Sequence, residues 1–144
     1  MTACQSYHLT FTRFSPSLSV RSFSASEAVN TAYRVEITAT STDSSLSLSS
    51  YLNQRAAFEI RPQEAVLSEV AAAFSAASDA PPAKQWQGII TSCEKLSVSK
   101  DETVYRFVLE PRFAALKHFQ SSRLFQNQTV PDIVAAVFKH HGFS

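Results

Sequence analysis

The sequence predicts an α+β fold: a mostly antiparallel β-barrel module with an inserted helix and a C-terminal amphipathic helix. Three observations carry this. Period-two alternation of apolar and polar residues recurs from Tyr7 to Glu110. A segment rich in Ala, Glu and Leu and free of Gly and Pro, residues 63–78, breaks into that series. A capped helical pattern closes the chain after Thr129. The length of 144 residues suits one ordinary core.

The first strand runs from Tyr7 to Arg13, with Tyr7, Leu9 and Phe11 on one face and His8, Thr10 and Thr12 on the other. Pro16 interrupts, and Leu18 to Arg21 resumes the alternation as a short second strand. Ser26 to Asn30 reads as a loop or single turn. Ala32 to Thr42 is the cleanest strand of the N-terminal half, with Tyr33, Val35, Ile37 and Ala39 facing one way. The hydroxyl-rich stretch Ser41–Ser50 is either a solvated loop or a weak edge segment. Ala56, Phe58 and Ile60 mark another strand, stopped by Pro62.

Residues 63–78 predict a helix in which Val66, Val70 and Phe74 share a face, ended by Pro81-Pro82. Lys84 to Lys100 returns to strand, with Trp86, Gly88 and Ile90 on one side. Thr103–Glu110 is apolar on both faces and therefore central in the sheet; Pro111 closes it. Phe113–Phe119 is a short helical or irregular linker. Two glycines in the whole chain imply few two-residue hairpins.

The last element is a helix. Thr129 and Asp132 stand at capping-box spacing, and Pro131 sits in the first turn, where its missing N–H costs nothing. Val130, Ile133, Val134, Val137 and Phe138 form one apolar stripe. Lys139, His140 and His141 suit the negative end of the helix dipole, and Gly142 can supply a left-handed stop. Burying that stripe would contribute roughly 7–15 kcal/mol gross, so Ile133→Asp is expected to unfold or detach the helix.

Composition excludes several function classes. A net charge of +1, with scattered Lys and Arg, gives no basis for a nucleic-acid or membrane partner. No apolar run reaches a membrane span, and the N-terminus lacks a basic start followed by an apolar core, so no signal peptide is expected. Cys4 and Cys93 read as free thiols rather than a disulfide or redox pair, in a chain made in the cytosol.

Catalytic templates find no match. No serine lies in a nucleophile elbow, no glycine-rich phosphate loop exists, and adjacent His140 and His141 point about 100° apart on a helix. We therefore expect no enzyme, no cofactor and no metal. Arg123 stands out in Ser122-Arg123-Leu124-Phe125-Gln126. It is either a surface arginine leaning on Phe125 or an anchor donating several hydrogen bonds.

Several of these segments, in this order, resemble the N-terminal region of VgrG, the spike protein of type VI secretion, and the related baseplate hub of contractile-tailed phages. The resemblance is carried by Leu18, Val20, Phe23 and Glu27, then by Tyr33, Val35 and Ile37. Trp86-Gln87-Gly88-Ile89-Ile90 and Tyr105–Pro111 follow, then Ser122–Gln126 and Thr129–Val134. Ala25 and Gln54 stand where the family has glycines, and residues 63–78 look like an insertion. The resemblance implies a hub-like β-barrel module over 1–111, its helical insertion at about 63–80, and the start of a truncated α/β subdomain over 112–144.

It also implies a structural part of a trimeric spike that caps a hexameric tube. Self, the tube protein, and effector or baseplate proteins are the implied partners. Export would be by the type VI machine without a signal peptide. Trp86, Gly88, Tyr105, Pro111, Arg123, Phe125, Thr129, Asp132 and Ile133 are the candidate structural and assembly residues. Two other readings stay open: a small β-barrel holding an apolar ligand, suggested by eleven phenylalanines, and a serine hydrolase.

Overall fold

The computed structural model describes residues 5–62 and 84–143; the helix expected at 63–78 lies outside them, as does Cys4. Six strands form one antiparallel sheet: β1 (Gln5–Phe11), β2 (Ser19–Ala28), β3 (Thr31–Ser41), β4 (Arg55–Pro62), β5 (Lys84–Val98) and β6 (Thr103–Glu110). Their order across the sheet is β1-β4-β5-β6-β3-β2. One helical turn, α1 (Leu48–Tyr51), precedes β4. A 3₁₀ turn (Arg112–His118) and the helix α2 (Val130–His140) follow β6. The chain divides into two units at Arg112/Phe113, each described by itself below.

The sheet curls into a half-barrel. Its first and last strands are not paired, yet the Tyr7 ring of β1 lies 5.3 Å from the Phe23 ring of β2. Phe23 also meets Phe58 of β4 at 5.0 Å and Trp86 of β5 at 6.3 Å. One side chain from the last strand thus reaches three others across the open side. The curl has a local cause. Register shifts fall between Val20 and Ser22 and between Ser26 and Ala28 in β2, and between Ile90 and Ser92 and between Lys95 and Ser97 in β5. A bulge bends its strand and increases the twist. Each bulge also switches parity. Val20 faces inward opposite Ala39, and one bulge later Phe23 and Ala25 face inward opposite Ile37 and Val35.

β6 sits mid-sheet between β5 and β3, as its two apolar faces predict. Tyr105, Phe107 and Leu109 are completely buried on the concave side, and Val108 is 2% exposed on the other. They pack with Val35, Ile37 and Ala39 of β3, Phe58 of β4, and Trp86 and Ile90 of β5. The largest of these side chains contribute roughly 1.5–3 kcal/mol each. A second aromatic group closes one end: the rings of Phe11, Phe14, Tyr51 and Phe107 meet at 4.8–5.8 Å, Phe11 and Phe14 stacked and the other pairs edge-on or tilted.

Several expectations need correction. β2 runs on to Ala28, so Ser26–Asn30 is not a loop. Its turn is only Val29-Asn30, with Ala28 opposite Thr31. Asn30 takes φ 61°, a left-handed conformation that asparagine tolerates better than most residues, so this tight turn forms without glycine. Asn53 does the same at φ 60°, next to Gln54. The segment Ser41–Ser50 is neither wholly a loop nor an edge, because it ends in α1, whose Tyr51 is buried. In α2 no residue is buried, and Val130 and Val134 are 74% and 45% exposed. The expected burial energy of its apolar stripe is therefore only partly realised, through the half-buried Ile133, Val137 and Phe138.

What holds α2 is local. Thr129 Oγ1 accepts from the Asp132 N–H at 3.4 Å, and the Asp132 carboxylate accepts from the Thr129 N–H at 3.3 Å. At the other end Gly142, at φ 72°, lets Phe143 N–H reach Phe138 O at 2.9 Å and Gly142 N–H reach Lys139 O at 3.1 Å. The Phe138 and Phe143 rings meet at 5.7 Å, completing a Schellman stop with its apolar contact.

Candidate assembly site

The candidate residues fall into three local arrangements. The first closes the half-barrel. Trp86, 5% exposed, donates its indole N–H to Glu27 Oε1, and Lys84 Nζ binds Glu27 Oε2 at 2.8 Å while standing 4.8 Å over the Trp86 ring. Glu27 lies in the second bulge of β2, so the strand irregularity aims its carboxylate across the opening. The Lys84 ammonium first, and the Trp86 N–H second, hold that carboxyl below its ordinary value of 4.5. Tyr33 adds a bond from its hydroxyl to Gln87 O. Glu27 carried the sequence resemblance, but its bond to Trp86 was not legible.

The second arrangement is backbone against backbone. A Cβ on Gly88 would lie 2.0 Å from Glu110 O, 2.7 Å from its carbonyl carbon and 3.2 Å from Pro111 N. Gly88 and Pro111 belong to one device: the glycine leaves room for the chain as it turns out of β6. Tyr105 holds a neighbouring loop, its buried hydroxyl donating to Asp43 O at 2.9 Å. Asp43 in turn accepts from the Ser45 N–H at 2.8 Å, and Lys95 Nζ caps Ser44 O at 2.7 Å.

The third lies in the second unit. Arg123 and Phe125 line a groove of about 260 Å3 with Leu116, Phe119, Val137 and His141. Arg123 is exposed, and among the described residues it has no ion pair or side-chain hydrogen bond. Ile133 is half-buried, and Thr129 and Asp132 form the cap already described. The 3₁₀ turn occupies the expected linker.

Among the described residues one serine–histidine contact stands out: His8 Nε2 lies 3.2 Å from Ser6 Oγ. Both are on the solvent face of an edge strand. Glu59, opposite His8 in register, commits Oε2 to Arg61 at 2.8 Å and Oε1 to Gln85 at 2.7 Å, so it does not orient the imidazole. Cys93 is half-buried, and burial pushes its thiol up to about 11, which keeps it protonated at neutral pH. Among the described residues no group of three or more His, Cys, Asp or Glu could hold a metal ion, and no helix is long and apolar enough to cross a membrane.

Comparison with known proteins places this geometry. The family model described as phage tail baseplate hub (GPD) matches residues 26–144. Type VI secretion system spike protein VgrG4b of Pseudomonas aeruginosa is 27% identical over 87% of this chain, and VgrG5 of the same organism is 30% identical over 85%. This chain spans 13% of the length of each of those relatives. A solved E. coli component of the type VI secretion system, described as structurally similar to the T4 bacteriophage tail proteins gp27 and gp5, superposes with a TM-score of 0.73 at 30% identity. That match covers 94% of this chain and 32% of the other.

Proposed function

Since this chain belongs to the phage tail baseplate hub family, we propose that it works as part of the spike or hub that caps the tube of a type VI secretion machine. The observation that carries this is the superposition over 94% of the chain at 30% identity onto a type VI secretion component. In this reading the half-barrel is a structural module that acts by shape rather than by chemistry. Residues 1–111 form the hub-like module and 112–144 belong to an α/β subdomain. Three copies associate, and the ring they make sits on a hexameric tube. The chain works without catalysis, cofactor or metal, and leaves the cell through the machine rather than by a signal peptide.

The candidate residues then take mechanical roles. Trp86, with Glu27 and Lys84, fixes the mouth of the half-barrel, while Gly88, Pro111 and Tyr105 set where the chain leaves the sheet. Arg123, Phe125, Thr129, Asp132 and Ile133 shape the second unit. A part that transmits force needs this kind of over-determined geometry more than it needs a reactive group.

Light scattering on the purified chain, alone and mixed with the tube protein of its own cell, tests the assignment. A trimer that co-elutes with tube hexamers is the expected result. A monomer that retains no tube protein, in a cell whose native polypeptide blots at 15.9 kDa, would overturn it.

A further inference from the structure

Four cations of the sheet unit are neutralised within it. Arg34 pairs with Glu36 at 3.1 Å, Arg61 with Glu59 at 2.8 Å, Lys84 with Glu27 at 2.8 Å and Arg106 with Glu94 at 3.6 Å. Arg13 and Arg55 differ. Both are exposed, and among the described residues neither side chain has an ion pair or a hydrogen bond.

These two arginines meet at the end of the sheet where β1 finishes and β4 begins. A cleft of about 510 Å3 there is lined by Thr10, Thr12, Gln87, Arg55 and Arg112, among others. A second of about 230 Å3 is lined by Arg13, Asn53 and Gln54 and shares Thr12 and Arg55 with the first. Through these shared residues the two clefts adjoin, and among the described residues their lining brings Arg13 and Arg55 together with no carboxylate. Like charges gathered in a concave surface reinforce one another's field and cost the fold stability. Arg34, Arg61 and Arg106 have carboxylates beside them, whereas Arg13 and Arg55 share a concave surface without one among the described residues, which leaves a site for an external anion.

We propose that this depression docks an acidic segment of a protein partner, with Arg13 and Arg55 as its carboxylate receptors. The guanidinium fork matches a carboxylate in a bidentate pair, and the amides of Asn53, Gln54 and Gln87 offer bonds to an accompanying backbone. A single-stranded nucleic acid fits less well, because its bases need aromatic platforms. Phe11 is the aromatic residue in the lining, and it is only 9% exposed. The inference rests on charge and shape and does not require the spike assignment.

Fluorescence anisotropy at about 0.1 M salt tests it, using labelled hexaglutamate, a neutral Gly-Ser peptide and oligothymidylate. The variant Arg13→Ser/Arg55→Ser removes the receptors, and Arg61→Ser/Arg106→Ser removes equal charge elsewhere on the sheet. Hexaglutamate should bind the unaltered chain, weaken at least roughly tenfold in the first variant and stay within about twofold in the second. Arg13→Glu alone should also weaken hexaglutamate, which keeps the test independent of the double variant's folding. No binding to the unaltered chain, equal weakening in both double variants, or a cleft that takes oligothymidylate in preference to the peptide would each overturn the proposal.

Discussion

Replacing Gly88 with alanine separates two accounts of this residue by sign. If Gly88 were only a weak point in a strand, alanine would stabilise the sheet by about 0.5–1 kcal/mol, through lower unfolded-state entropy. The structure predicts the opposite. The new Cβ would lie 2.0 Å from Glu110 O, whereas real Cβ contacts stay beyond 3.0 Å, so the Glu110 carbonyl must retreat by about 1 Å. That carbonyl is backbone, and it lies at the end of the central strand. Its residue faces Ile89, and the next rung pairs Ile90 with Leu109, which is fully buried. Overpacking of this kind costs about 1–3 kcal/mol, and a lost ladder bond adds about 1 kcal/mol. For a domain near 100 residues, each kcal/mol moves the melting temperature by roughly 4 °C or more. A net loss of about 2–4 kcal/mol therefore lowers it by roughly 8–16 °C. Circular dichroism melts of the two chains decide the matter. An unchanged or higher melting temperature for Gly88→Ala would refute the close-approach argument and leave Pro111 without its partner.

Four further outcomes follow from the same geometry. Tyr105→Phe removes the bond to Asp43 O and should cost about 1 kcal/mol, with faster amide exchange confined to residues 42–47. The Glu27 carboxyl is held below 4.5 by Lys84 and Trp86, so its stabilising effect is present above that value and lost as pH falls through the lower folded value. Glu27→Gln should therefore destabilise the sheet near neutral pH and flatten the acid limb of its stability profile; an unaltered limb would show that the latch contributes nothing. Thr129→Ala removes the side-chain acceptor of the capping box, while the backbone N–H of that residue can still reach the Asp132 carboxylate, and should destabilise α2 by about 1 kcal/mol, visible as faster exchange at Asp132 and Ile133 with no change in the sheet. Ile133→Asp, at a half-buried position, should leave the melting of the sheet unit unchanged; a drop of several degrees would show that α2 is coupled to the sheet.

Whatever depends on residues close along the chain was legible in the amino-acid order. Alternation placed β1, β3, β4 and β6 and sorted their side chains onto two faces, because period two is a property of the extended backbone. The capping box, the proline at the helix start and the Gly142 stop were equally legible, since each is completed within one or two turns. The strand order, the curl and the closure of the mouth came from contacts between distant segments. The bulges in β2 and β5 switch side-chain parity in mid-strand, so simple alternation stops β2 short and hides the path from Val20 to Phe23. The bond from Trp86 to Glu27 spans 59 residues, and the approach of Gly88 to Glu110 depends on how β5 and β6 are paired. The α2 stripe marks the same boundary. A sequence can show that a helix has an apolar face, but whether that face is buried depends on which surface arrives to cover it.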